Sequence, residues 1–419
     1  MTPDSVVHVA GPAITSIGSI YRIQWPEDFL DFRVERIHED SKGVTTAEIH
    51  IFYNGQANLV IQEYERLNLT SAQAKAKLAK ICEERAPIGV NWGQRIEKVC
   101  REVIQLHRQG EPIINLAEMK ASERLRWRVE PLLYDKQANL IYGEGGLGKS
   151  ILANYLGVLV ASGQQTPELP NVEPGNVLYL DYETSPDEIL ERTSKLTEGL
   201  ILANMPQIHY RFCSQPLAHD IEYLQREVLQ RDISLIIVDS VGPACGGEPE
   251  NAAATIECFR ALRPLKVTAL LVAHVAKNSH SKTPFGSVYW WNLSRSVWEV
   301  VKGDQSSDGS TEIGLWHRKV NNGRLLPPRA YRVRFSDEDI TFHDIRPQDS
   351  DTLKESLRNY EQIALALKDG GKNLAQIVET TGLKESAVKT ELSKNKRRFV
   401  KLGSGLWGNR ADEKLELER

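Results

Sequence analysis

The stretch Gly143-Glu-Gly-Gly-Leu-Gly148-Lys149-Ser150 limits what this chain can fold into more than any other. It fits G-x-x-x-x-G-K-[ST], follows the apolar run "ANLIYG" and leads into the apolar segment "ILANYLGVLV", the strand, loop and helix order in which the motif grips phosphates. A strand must aim such a loop and a helix N-terminus must stand behind it, so the pattern predicts an α/β domain. The flanking sequence agrees, because "NVLYLDYE", "IHYRFC", "ISLIIVDS" and "VTALLVAHV" are apolar runs separated by amphipathic segments, as in a parallel sheet covered by helices. After them, "SVWEVVKGDQSSDGSTEIGLWHRKVNNG" and "AYRVRFSDEDITFHDI" read as strands joined by tight turns, a β extension of that sheet.

The expected phosphate cradle is Gly143, Glu144, Gly145, Gly146, Leu147, Gly148, Lys149, Ser150 and Ile151. Glycines let backbone N–H groups curl around phosphate oxygens, Lys149 reaches the β and γ oxygens, and Ser150 supplies a hydroxyl to Mg2+. Asp239 closes the apolar strand "ISLIIVDS", where a carboxylate holds the metal's water shell opposite Ser150. A hydrolase must also orient and deprotonate a water in line with the γ-phosphate. Glu183, at the tip of "NVLYLDYET", is the candidate base, with Asp181 as the alternative if the strand ends earlier.

From about Leu116 to Asp344 these motifs resemble the RecA-fold ATPases, in the branch of RepA-type and DnaB-type hexameric replicative helicases. The resemblance implies ATP as the nucleotide, Glu183 as the catalytic base and His274 in "LLVAHVAKNSH" as the group that senses the γ-phosphate. In that family a neighbouring subunit completes the site with Lys and Arg from a K-x-R-N-G-like hairpin. Here "HRKVNNGR" offers Lys319 at the lysine position but Asn321 at the arginine position, so Arg318 or Arg324 would have to serve as finger. The resemblance further implies a homo-oligomer, with a hexamer as the family expectation, and single-stranded DNA in a central channel. The channel loops would be "GPACGGEPENAA" and "KNSHSKTPFGSVYWWN", the second carrying Lys277 and Lys282 beside Trp290 for base stacking. The alternative for the paired tryptophans is the core of the next helix.

At the C-terminus, "YEQIALALKDGG", "NLAQIVETTG" and "LKESAVKTELSKNKRR" read as three helices, followed by the hairpin "FVKLGSGLWGN". This is the order of a winged helix-turn-helix, with Ala375, Ile377, Val378, Leu383, Val388 and Leu392 as its small core. Seven basic residues from Lys384 to Lys401 face only Glu385 and Glu391, a local net charge of +5 that suits duplex phosphates. Lys384, Ser386, Lys389, Lys394, Lys396 and Arg397 are the expected contacts. That local charge matters because the chain as a whole carries −4 with pI near 6.3 and is no basic coat.

Polar seams at residues 108–123 and 344–356 divide the 419 residues into an N-terminal α+β domain (1–112), the RecA-like domain (113–346) and the winged helix (353–411). In the first, "DFRVERIHEDSKGVTTAEIHIFYN" reads as two strands, followed by a helix near Ser71 and a second helix with Ile96, Val99, Cys100, Val103, Ile104 and His107 on one face. Five cysteines without metal spacing, no membrane-spanning run and no leader predict a cytoplasmic protein with reduced thiols. The whole is expected to be an Mg-ATP-dependent DNA-binding ATPase, a helicase-like motor or loader in plasmid, phage or mobile-element replication with a replication protein as further partner. The alternative is an ATP-switched regulator that assembles on DNA and recruits a partner without unwinding.

Overall fold

The computed structural model describes residues 11–55, 58–111, 113–118, 126–248, 251–275, 288–321, 323–396 and 398–410. They form two compact units: Met1–Arg124 with His219–Ile233 and Ala261–Lys266, and the remainder.

The first unit holds a five-stranded antiparallel sheet in sequence order, β1 (Ala13–Ile17), β2 (Ile20–Trp25), β3 (Leu30–Glu39), β4 (Thr45–Asn54) and β5 (Asn58–Asn68). Only β3 and β4 stand out in the sequence. Helices α1 (Ala72–Arg85) and α2 (Trp92–Gln109) follow, capped by the side chains of Ser71 and Asn91. Ile23, Trp25, Phe32, Val34, Ile49 and Ile51 pack with Leu78, Cys82, Trp92, Ile96, Val99 and Val103 into one core, so the helices cover one sheet face. The sheet also buries charge. Glu35 is 2% exposed and accepts two hydrogen bonds from Arg226, each 3.0 Å, with His50 Nε2 3.0 Å away.

In the second unit, β6 (Trp127–Glu130) and β7 (Leu133–Tyr134) precede the loop-bearing strand β8 (Ala138–Gly143) and α3 (Lys149–Ser162). Then come β9 (Asn171–Val172), β10 (Asn176–Asp181), α4 (Pro186–Gly199) and β11 (Ile208–Phe212). Helix α5 (Ile221–Arg231) counts with the first unit, where Arg226 meets Glu35. The chain continues through β12 (Ile233–Asp239), the short α6 (Val241–Ala244), α7 (Ala252–Leu262), β13 (Thr268–His274) and α8 (Val288–Leu293). A meander of β14 (Ser296–Gln305), β15 (Thr311–Val320), β16 (Arg329–Phe335) and β17 (Ile340–Ile345) completes the sheet.

These strands make one nine-stranded sheet, ordered β11-β10-β12-β13-β8-β14-β15-β16-β17. β12, β13, β8 and β14 run parallel, as do β10 and β11, and the β14–β17 part is antiparallel. This is the mixed α/β architecture with a large, mostly parallel sheet that a P-loop core requires. Helix α3 is apolar nearly all round, with Leu152, Ala153, Leu156, Val158, Leu159 and Val160 all at 1% exposure or less, which fits a helix enclosed by the sheet and its other cover.

The segment read as the second seam is packed. Helix α9 (Asp351–Ser356) places Leu353 in a cluster with Trp316 and Ala330 of the sheet and with Leu357 and Leu365. Beyond it lie α10 (Asn359–Ala366), α11 (Leu374–Thr381), α12 (Glu385–Lys394) and a hairpin of β18 (Phe399–Lys401) and β19 (Trp407–Asn409). Ile363, Leu367, Ile377, Val388, Leu392 and Phe399 form the small core there, with Val378 and Leu383 at its margin. Ala375 is exposed, because Leu374, one position earlier on α11, is the residue that packs against this core.

Candidate functional site

The loop 143–148 leaves β8 at the carboxyl edge of the parallel strands and enters α3 at Lys149. Two glycines there have left-handed backbone, Gly146 at φ 76° and Gly148 at φ 78°, and a Cβ on Gly143 would stand 2.4 Å from the Val300 carbonyl oxygen. Side chains would therefore strain or block the loop at these positions. The Lys149 ammonium donates to the Gly143 and Glu144 carbonyls at 3.0 and 2.5 Å. Burial pushes its pKa down to about 8, against the opposing pull of Asp239, Glu183 and Glu144.

Asp239 ends β12 and is 4% exposed. Tyr179, fully buried on β10, donates its hydroxyl to Asp239 Oδ2 at 2.6 Å, and the Ser150 hydroxyl also hydrogen-bonds this carboxylate. The other oxygen, Oδ1, is buried and has no hydrogen-bond partner among the described residues. Burial raises the Asp239 pKa while the Tyr179 and Ser150 hydrogen bonds pull it back. An orphaned carboxylate oxygen beside a P-loop hydroxyl is a donor set of hard oxygens, and it fits Mg2+.

Strand β10 ends at Asp181, the earlier ending that made Asp181 the alternative base. Its carboxylate is used up, however: Oδ1 accepts the N–H groups of Glu183 and Thr184 at 2.9 and 3.0 Å, and Oδ2 accepts the hydroxyls of Thr184 at 2.6 Å and Tyr210 at 3.0 Å. Asp181 thus builds the turn that carries Glu183. The Tyr182 N–H donates to the Asp239 carbonyl at 2.8 Å, tying that turn to β12.

Glu183 is held through one oxygen. The Ser240 hydroxyl donates to Oε1, and His274 Nε2 lies 3.3 Å from the same atom. These hydrogen bonds, His274's first, hold the Glu183 carboxyl below its ordinary pKa despite partial burial. His274 ends β13 in register with Gly143 of β8, so sensor candidate and loop are neighbours. Sequence reasoning missed Ser240 and Tyr179. The first had a visible signal, its place directly after Asp239; the second is hidden in an apolar strand.

The hairpin residues stand elsewhere. Lys319 pairs with Val297, which pairs with Leu140, so β15 runs away from the loop and its end at Val320 lies at the amino end of the parallel strands. Within one chain this end of β15 lies away from the phosphate loop. The Lys319 ammonium donates to the carbonyls of Trp291, Asn292 and Ser294 at 2.6, 2.9 and 2.6 Å, capping the end of α8.

Arg318 is not a free finger. Its side chain is 6% exposed, with Nε donating to Glu299 at 2.6 Å and Nη1 to Glu361 of α10 at 2.8 Å. Arg324, by contrast, is exposed and makes no ion pair among the described residues.

Trp290 is 0% exposed and packs against Phe259 with ring centroids 5.5 Å apart, so it belongs to the core and cannot stack on a base. Lys277, Lys282 and Arg397 lie outside the described residues. On and beside α12, Lys384, Ser386, Lys389, Lys394 and Lys396 are all exposed, although Lys389 pairs with Glu385 at 2.5 Å.

A glycine loop, its lysine, a buried metal-type carboxylate and a held glutamate along one sheet edge define the class: a P-loop ATPase domain. Residues 112–280 match the model of the AAA_25 family, described as an AAA domain, which agrees with that class. No curated protein matches the chain. Among the described residues no helix is long and apolar enough to cross a membrane.

Proposed function

We propose that this chain hydrolyses Mg-ATP and couples hydrolysis to DNA, as an oligomeric, helicase-like motor or loader of a plasmid, phage or mobile element. The observation that carries the reading is Glu183, whose carboxylate is partly exposed yet held through Oε1 by Ser240 and His274 beside the Asp239 turn. A base fixed through one oxygen keeps the other for an attacking water. Lys149 would exchange its loop carbonyls for phosphate oxygens, and Ser150 and Asp239 would hold Mg2+, which neutralises phosphate charge when bound.

The hairpin's distance from its own loop supports completion of the site by a second copy, with Arg324 as the exposed cation available for it. A hexamer with single-stranded DNA in its channel is the corresponding assembly. The three helices and hairpin at the C-terminus are the element set of a winged helix, and the exposed cations around α12 are its proposed duplex contacts. We assign residues 1–112 to an α+β domain, to whose compact unit α5 also contributes.

The second reading, an ATP-switched adaptor that assembles on DNA without unwinding it, is favoured by Asn321 at the family's arginine position and by the engagement of Arg318 and Lys319 elsewhere. ATP turnover with and without single-stranded DNA, with solution mass followed across ATP addition, separates the two. The motor predicts stimulated turnover and ring-sized assembly. Slow turnover indifferent to the strand, with ATP-dependent assembly, would replace it with the switch.

A further inference from the structure

Tyr179 sits in the middle of β10 with 0% exposure, flanked in the strand by Leu178 and Leu180. Phenylalanine would fill that space, so the hydroxyl needs its own explanation. It donates to Asp239 Oδ2 at 2.6 Å, and the consequence falls on the other oxygen. A carboxylate turns easily about its last torsion, which is broad and two-fold. Anchoring Oδ2 removes that freedom and leaves Oδ1, which has no hydrogen-bond partner among the described residues, for a ligand.

We propose that Tyr179 is the positioning residue of the divalent-cation site: its hydroxyl fixes Asp239 so that Oδ1 faces the ion's coordination sphere. The assignment rests on the Mg-ATP reading above and adds a residue to it. Outer partners of metal-ligating carboxylates are worth about 10- to 100-fold in metal affinity.

The test measures Mn2+ binding to the full chain in the presence of ADP by electron paramagnetic resonance. Tyr179→Phe keeps the ring and removes the donor. It should weaken Mn2+ binding about tenfold or more while leaving ADP binding in EDTA unchanged, and the Mg2+ concentration needed for half-maximal turnover should rise by a similar factor. Asp239→Asn should lose Mn2+ binding, and adding Tyr179→Phe to it should cost nothing further. Mn2+ affinity within twofold of wild type in Tyr179→Phe would overturn the assignment, as would a parallel loss of ADP binding in EDTA, which marks a role in packing alone. If wild-type protein with ADP binds no Mn2+, the Mg-ATP reading itself falls, and this assignment with it.

Discussion

Replacing Arg318 by Met separates two roles for this side chain. The guanidinium is shared by Glu299 and Glu361, whose side chains are only 14% and 5% exposed. Removing it leaves two carboxylates inside without their cation, and breaking such a buried pair costs about 3–5 kcal/mol. Glu361 keeps the Arg358 N–H at 2.9 Å and the Tyr360 hydroxyl at 3.0 Å, which places the cost toward the lower end. Adding Glu361→Gln to Arg318→Met removes one stranded charge and should recover part of the loss. Because a chain of two units need not unfold in one step, the assay is hydrogen exchange of the α10 and β15 amides, with turnover measured per folded molecule. The structural role predicts faster exchange in Arg318→Met and turnover reduced only in proportion to protein lost. An arginine finger would instead lose about a thousandfold or more in turnover with exchange unchanged. That outcome would refute the structural role.

Other outcomes follow from single residues. Mixing Arg324→Ala with Glu183→Gln protein, each inactive alone, should restore partial turnover if Arg324 acts in a neighbouring site; no recovery in a verified mixed assembly would remove it as finger. His317 is buried against Trp298 at 4.3 Å between centroids, and burial lowers its pKa from 6.5 to about 4. Between those values the unfolded chain binds the proton and the folded one does not, so stability present above pH 6.5 is lost as pH falls toward 4, by up to about 3 kcal/mol. Hydrogen-exchange protection of the β15 amides, corrected for the intrinsic pH dependence of exchange, should show the slope across that range, and His317→Asn should flatten it. Lys149 titrates near 8 without nucleotide and is held charged by phosphates, so ATP affinity should fall above pH 8 by as much as about tenfold per pH unit. Lys149→Arg, whose cation does not titrate there, should show no such fall. Reversing charge at Lys384, Lys394 or Lys396 should weaken duplex binding and reduce the salt slope by about one for each phosphate no longer neutralised. Point changes are preferable to truncation after Asp351, since Leu353 and Leu365 belong to the cluster around Trp316.

What could be read in advance was whatever depends on local pattern. The loop 143–150, the strands around it and the places of Asp239 at a strand end and Glu183 just beyond one are legible in spacing, and the C-terminal helices announce themselves through caps such as Asn373 and Gly382. The strand β5 is hidden in the sequence because its alternation is broken by Tyr64 at φ 52° with register shifts against β4, whereas β2 alternates regularly but is short and carries Arg22 and Gln24 beside Asp31 on its second face. Tertiary roles were invisible for a different reason. Arg318 looks like a surface-turn residue in sequence, and only its partner Glu361, 43 positions later, shows that it is interior, while Trp290 takes the alternative the sequence left open, the core, against Phe259. Asp181 looks like a competitor for Glu183 and is instead the acceptor that shapes its turn.

The most direct measurement compares wild type with Glu183→Gln for ATP turnover and, in parallel, for ATP binding. A glutamate base predicts Mg-dependent turnover in wild type and, in the variant, turnover reduced by about 100-fold or more with affinity preserved. Turnover retained in Glu183→Gln would contradict it, because the carboxylate that Ser240 and His274 hold would then not be the base.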